Sequence, residues 1–223
     1  MALCLSLLIG VGACSEEEIA YSAGEENKEV ILQLNCQLQT NQEVIVSRAS
    51  TAENRLNDLH FYVFNAAGEL TGYKKLVATE SSPIPTPGPE TVTVKAITGE
   101  AYIYALANLN STIYYLDDAD KNKLTGIDEA DVAGSSLTRD EFLAIDFKRQ
   151  YGNASHIISP NPTDGQFMMS GYLNGGKAVT ITAGTNGAGV ISESNVIRLY
   201  RILAKNTFTI EAGKRSNFHS QYV

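Results

Sequence analysis

The strongest constraint on this chain is an alternation of side chains in the segment VILQLNCQLQT, residues 30–40. Successive side chains of a β-strand point to opposite faces of its sheet, so every second residue shares a face. One face carries mainly Gln and Asn, and the other carries Val30, Leu32, Leu34, Cys36 and Leu38. The pattern predicts a half-buried strand and explains Cys36 as a small, inward-facing side chain.

Other stretches have the composition of short strands joined by turns. Val, Ile, Thr and the eleven tyrosines favour strands, and the 18 glycines favour turns between them. We expect two strands in residues 56–78, two in residues 91–109 and further strands after residue 166. The segment SSPIPTPGPE, residues 81–90, holds four of the six prolines and is predicted to be an exposed loop.

A short helix is predicted in LTRDEFLAIDF, residues 137–147, which begins with the capping-box residues Thr138 and Glu141. No internal repeat interrupts the pattern of strands. The fold class is therefore predicted to be all-β: a sandwich of about seven strands with one or two short helical insertions.

The amino terminus reads as an export signal rather than as part of the fold. Residues 1–13 are apolar but too few to cross a bilayer, which takes ~20 residues. The sequence Val11-Gly12-Ala13-Cys14 resembles a bacterial lipobox, in which the cysteine becomes the lipidated first residue after cleavage. We expect a signal peptide at 1–13, lipidation of Cys14 and an acidic tether at 14–29. An ordinary signal with a chance cysteine is the alternative. No Lys or Arg precedes the apolar run, so we expect the true start to lie a few residues upstream of Met1.

The net charge narrows the classes of partner, and the cysteine content indicates how the domain is stabilised. The chain has 25 acidic and 17 basic residues and a net charge of −8, which argues against nucleic acid as a partner. Cys4 would leave with the signal peptide and Cys14 would carry lipid. Cys36 then has no partner for a disulfide, so the domain must be stabilised by its core, for which 43% hydrophobic content is sufficient.

Two motifs imitate ligand sites and are expected not to function as such. Residues 171–177 match the Gly and Lys spacing of a phosphate-binding loop, but Ala178 replaces the hydroxyl residue, which favours a Gly-rich hairpin. The segment from Asp118 to Glu129 matches an EF-hand loop, but Lys123 replaces the glycine at its sixth place. We expect neither nucleotide nor tight calcium binding.

The sequence also has no recognisable pattern of catalytic or metal-ligating residues. His60, His156 and His219 are scattered without zinc-ligand spacing, and His60 is expected to point outward or to be packed within a strand. The one thiol predicted in the mature chain lies in a core strand. We therefore expect no enzyme, no cofactor and no metal site.

Four stretches in this order resemble the fimbrillin family, the type V pilins of Bacteroidales: RLNDLHFYVFNAAGEL, YIYALANLN, FMMSGYL and VIRLYRILAK. The resemblance implies transthyretin-like Greek-key sandwich domains, exported as outer-membrane lipoproteins and assembled with other subunits into adhesive cell-surface fimbriae. It further implies cleavage by an arginine-specific protease, for which Arg48-Ala49 is the matching position. Loss of the first strand would then leave a gap for a strand donated by a neighbouring subunit.

On this interpretation the chain divides into a propeptide with the first strand at 30–48, a sandwich domain at 49–212 and a tail at 213–223. The family's second domain is expected to be absent. Two alternatives stay open at this point. Arg48 could be an ordinary loop residue beside a permanent strand, and the protein could be a lipid-anchored surface module that binds glycan or protein and never polymerises.

Overall fold

The computed structural model describes residues 27–39, 55–84, 90–110, 114–146, 148–149 and 167–201. Cys14, Arg48 and Ala49, together with the predicted signal peptide, nearly all of the tether, and the tail, lie outside these residues. The described residues form eleven strands and two α-helices, besides three short 3-10 segments: β1 (Glu29–Leu38), β2 (Asp58–Asn65), β3 (Leu70–Val77), β4 (Glu90–Ile97), β5 (Gly99–Ala107), β6 (Tyr114–Tyr115), α1 (Asp118–Thr125), α2 (Arg139–Ala144), β7 (Lys148–Arg149), β8 (Met169–Tyr172), β9 (Val179–Ala183), β10 (Gly189–Ile191) and β11 (Val196–Arg201).

Seven strands form a nearly closed sheet in the order β4-β1-β11-β8-β5-β2-β3. Every neighbouring pair is antiparallel except β1 and β11, which run parallel. β3 and β4 lie side by side where the sheet closes, although no ladder joins them in the described part of the chain. We call this junction the seam. The all-β sandwich and its seven principal strands are thus confirmed, and the four additional strands are short.

The sheet has a core on both of its faces. The inner core fills the sandwich and takes side chains from all seven principal strands. An outer core, which includes Tyr62, Phe64 and Leu124, lies between β2, β3 and β5 on one side and the segment that contains α1 and α2 on the other. β2 is consequently buried on both faces.

The helix predicted from the capping box is confirmed as α2. Thr138 Oγ1 accepts a hydrogen bond from the Glu141 amide at 3.2 Å, and the Thr138 amide donates to Glu141 Oε2 at 3.1 Å. Two donors that the helix itself would leave unpaired are satisfied in this way. Phe142 of this helix packs into the outer core.

The predicted Gly-rich hairpin at residues 171–177 is wrong. β8 and β9 do not pair with each other; both pair antiparallel with β5, β8 with Tyr104–Ala107 and β9 with Gly99–Ala101. They lie end to end along one edge of β5, and a 3-10 segment, Leu173–Gly176, lies between them. Asn174, Gly175 and Gly176 have positive φ there, which glycine adopts without strain.

Candidate functional site

The predicted first strand, β1, lies between two neighbours rather than at an edge. It pairs antiparallel with β4 along its first eight residues and parallel with β11 through its last four. A parallel pairing needs a long connection between the two strands, and here nearly the whole sandwich lies between them in sequence. β1 therefore occupies an inserted position in the sheet, and removing it would leave a gap between β4 and β11.

All five residues predicted to face inward are buried: Val30, Leu32, Leu34, Cys36 and Leu38. On the opposite face, Ile31 is 39% exposed. Full burial of a large aliphatic side chain contributes ~1.5–3 kcal/mol, so the valine and three leucines together contribute roughly 6–12 kcal/mol. That sum is comparable with the whole stability of a typical domain, ~5–15 kcal/mol.

The backbone of β1 is hydrogen-bonded on both of its edges. The Asn35 amide donates to the Asn195 carbonyl at 2.9 Å, and the Asn195 side-chain amide donates to the Gln33 carbonyl at 3.1 Å. At the end of the strand, the Gln39 amide donates to the Leu199 carbonyl at 2.9 Å. Loss of β1 would thus expose backbone groups of its neighbours as well as apolar surface, and such groups are a template for another strand.

Burial makes Cys36 a packing residue rather than a reactive one. Its thiol is free and lies within the inner core. Burial raises the pKa of the Cys36 thiol to about 12, against a smaller lowering by a hydrogen bond with the Gln37 backbone. Because the thiolate is the reactive form, this cysteine is inert while β1 stays in place.

A buried polar group on β2 was not predicted from the sequence. His60 Nδ1 lies 2.8 Å from the Tyr73 hydroxyl, and His60 Nε2 lies 3.3 Å from Asp58 Oδ1 without hydrogen-bond geometry. Asp58 also accepts a hydrogen bond from the Leu109 amide at 2.8 Å. Burial alone raises the pKa of the Asp58 carboxyl, but the interactions with His60, Leu109 and Asn110 together lower it below its usual value.

This group has no access to a substrate. His60 and Asp58 are 0% and 2% exposed, because the residues between β5 and β8 cover this face of β2. Of the two expectations for His60, packing is confirmed. The sequence did contain a signal: Asp58, His60, Tyr62 and Phe64 alternate with apolar residues, and so share one face.

The EF-hand-like segment has a different structure from a calcium loop. Asp118, Asp120 and Asn122 lie in α1, which is capped by Asp117. Glu129, the last place of the motif, instead binds β3: its carboxylate accepts from Lys74 Nζ at 2.7 Å and from the Lys75 amide at 2.8 Å. Among the described residues, no group of three or more His, Cys, Asp or Glu side chains could hold a metal ion.

In the same part of the chain, no helix has the length and apolar character that a membrane span requires.

A family model described as "Major fimbrial subunit protein (FimA)" matches residues 33–201. That range contains every principal strand except the first four residues of β1. No curated protein matches the chain.

Several solved structures are similar to the chain, and two of them are fimbrial proteins by their descriptions. One is the tip fimbrial protein Mfa3 from Porphyromonas gingivalis with C-terminal truncation, at 18% identity and a TM-score of 0.46, covering 78% of this chain and 49% of that one. The other is a fimbrial assembly protein from Parabacteroides distasonis, at 15% identity and a TM-score of 0.40, covering 78% and 54%. This chain therefore spans about half the length of each.

The family match itself extends over well more than half of the chain and over nearly all of the sandwich. Its description is of a structural subunit and not of an enzyme. The chain belongs to the major fimbrial subunit (FimA) family.

Proposed function

We propose that this protein is a structural, non-catalytic subunit of a cell-surface fimbrium. It is exported as an outer-membrane lipoprotein through Cys14 and is assembled with other subunits by strand exchange after an arginine-specific protease cuts at Arg48. Its partners are the membrane lipid, that protease and a subunit that donates a strand. Export and lipidation rest on the sequence of residues 1–14, and the assembly step rests on the position of β1.

The observation that carries the assembly step is that β1 is deeply packed, yet every other element in the described part of the chain follows it in sequence. Residues 39–55 link β1 to the Leu56–Ile84 bridge and β2, so one cut there separates the strand from the remaining sandwich. The strand then holds its place by packing and hydrogen bonds alone. A second strand with the same alternation of apolar residues can take that place.

Arg48 is the better of two candidate sites in or beside this connection. Arg55 lies at its end, where its backbone carbonyl accepts a hydrogen bond from Asn108 Nδ2 at 3.1 Å. Asn108 is 1% exposed and binds the Asn57 amide as well, at 2.8 Å. Cleavage at Arg55 would have to break these bonds first, whereas residues 47–54, SRASTAEN, are small or polar and suit an exposed scissile segment.

The test is to compare Arg48→Ala with the matched control Arg55→Ala in cells that display the fimbria. Arg48→Ala should abolish the SDS-resistant ladder of assembled subunits and leave a monomeric precursor whose first residue is Cys14. Arg55→Ala should assemble as usual, with Ala49 at the amino terminus of the surface protein.

Normal assembly of Arg48→Ala would refute the proposal. A strictly monomeric wild-type protein that binds on a glycan array would instead favour the alternative, a lipid-anchored surface module. Protease treatment that digests the purified domain instead of trimming it would also contradict strand exchange.

A further inference from the structure

The backbone hydrogen bonds of β4 are made with β1 along the whole length of the strand. Every residue of β4 is in register with β1, from Glu90 opposite Cys36 to Ile97 opposite Glu29. In the described part of the chain, this is the one ladder that β4 makes. Thr98, just beyond β4, also binds the start of β1: its amide donates to the Lys28 carbonyl at 2.9 Å.

The opposite edge of β4 lies at the seam, where contact with β3 is close but is not a ladder. The two backbones meet at Gly72, where an added Cβ would lie 2.1 Å from the Lys95 carbonyl oxygen. Beyond this point the strands separate around a cleft of about 600 Å³, lined by residues that include Thr71 and Ile97. Side-chain packing therefore replaces backbone pairing along this edge.

The β3 edge is also partly occupied, so that β4 cannot readily pair with it. The Lys75 amide, which points away from β2, already donates to the Glu129 carboxylate at 2.8 Å. Lys74 Nζ holds the same carboxylate at 2.7 Å. A ladder between β3 and β4 would have to displace Glu129 and bring the diverging strands together.

Without β1, no other strand in the described ranges of the chain would be paired to either edge of β4. Its buried side chains, Val92, Val94 and Ala96, would still face the inner core but would have lost the neighbours on β1 that cover them. Isolated strands are not stable in water, and even two-stranded hairpins are marginal. The remaining principal strands β11, β8, β5, β2 and β3 keep their mutual ladders.

We infer that β4 is ordered as a strand only while another strand fills the position of β1, so that β1 and β4 leave and return as one unit. On one side of the acceptor site for strand exchange, β11 stays folded after β1 leaves. On the other side, β4 becomes an ordered strand only when an incoming segment binds. An incoming segment must run parallel to β11 and antiparallel to β4. This consequence for assembly rests on the proposed function, whereas the coupling of β1 to β4 is a property of the monomer.

Native-state hydrogen exchange on the full-length monomer tests the coupling. In increasing, sub-denaturing guanidinium, the amides of β1 and β4 should exchange through one shared opening, with the same free energy and denaturant dependence. The amides of β2 and β5 should stay protected until global unfolding. Protected β4 amides at a denaturant concentration where β1 has opened would overturn the inference.

Two matched core variants separate the possible openings. Leu34→Ala, in β1, should accelerate exchange in β4 at least about thirty-fold. The Leu34 side chain is fully buried, and its packing is lost when β1 and β4 open together. Leu106→Ala, in β5, should accelerate exchange in β2 and β5 but leave β4 unchanged, because Leu106 lies in the outer core, to which neither β1 nor β4 contributes a side chain.

If β4 ignores Leu34→Ala, it opens independently of β1, and the inference is wrong. If Leu106→Ala accelerates β4, β4 opens in global unfolding, and the inference is again wrong. Neither outcome depends on cleavage or polymerisation, so failure here is distinguishable from failure of the proposed function.

Discussion

Replacing Gly72 by alanine tests how tightly the sheet closes at the seam. The added methyl would lie 2.1 Å from the Lys95 carbonyl oxygen, whereas ordinary contacts begin at 3.4 Å, so the two backbones must separate by about 1.3 Å. Lys95 belongs to β4, which is held along its whole length by β1, so the displacement must pass into the β1–β4 ladder. Side chains beneath also resist, because Val63 Cβ would lie 3.1 Å from the new methyl.

Forcing one carbon into such a site destabilises a protein by about 1–3 kcal/mol, which for a chain of this size lowers Tm by roughly 2–12 °C. Thermal unfolding followed by circular dichroism measures the change. Val77→Ala is the control. Val77 lies at the end of β3, the strand that contains Gly72, and its side chain is 57% exposed, so the change should shift Tm far less. A Gly72→Ala protein that melts with the wild type would mean that β3 and β4 are not in close contact at Gly72, and that contact with β3 does not replace backbone pairing along this edge of β4.

The remaining predictions concern single side chains. Asp58 has a pKa below its usual value in the folded state, so its carboxylate stabilises the fold above the pKa of the unfolded chain, and this stability is lost as pH falls through the folded pKa. The stability of Asp58→Asn in acid should therefore depend less steeply on pH than that of the wild type. Cys36 should resist alkylation at pH 8 in the intact protein and react after cleavage at Arg48 and loss of β1, and equal reactivity before and after would contradict the release of β1. Glu129→Gln should cost no more than about 1 kcal/mol, because its ion pair with Lys74 is about one-third exposed, and calorimetry should detect no micromolar calcium binding in either protein. Cys14→Ser should abolish lipid labelling of the exported protein, and equal labelling would exclude the predicted anchor.

Local patterns predicted a large part of the fold. The alternation in VILQLNCQLQT identified the buried face of β1 residue by residue, because the two-residue period of a strand is a property of the backbone alone. The capping box at Thr138 located α2 for a similar reason, since its hydrogen bonds join residues three apart.

The sequence alone therefore determined which residues form the principal strands, which face of β1 is apolar and where α2 begins, because these depend on neighbours along the chain. Only the tertiary structure decided that β1 lies between β4 and β11, that residues 171–177 form the end of β8 and a 3-10 segment rather than a hairpin, and that His60 lies beneath a second core. Backbone hydrogen bonds are the same for every residue and do not encode which strand pairs with which. That choice is made by the joint packing of strands distant in sequence, and in this protein it makes β4 depend on β1.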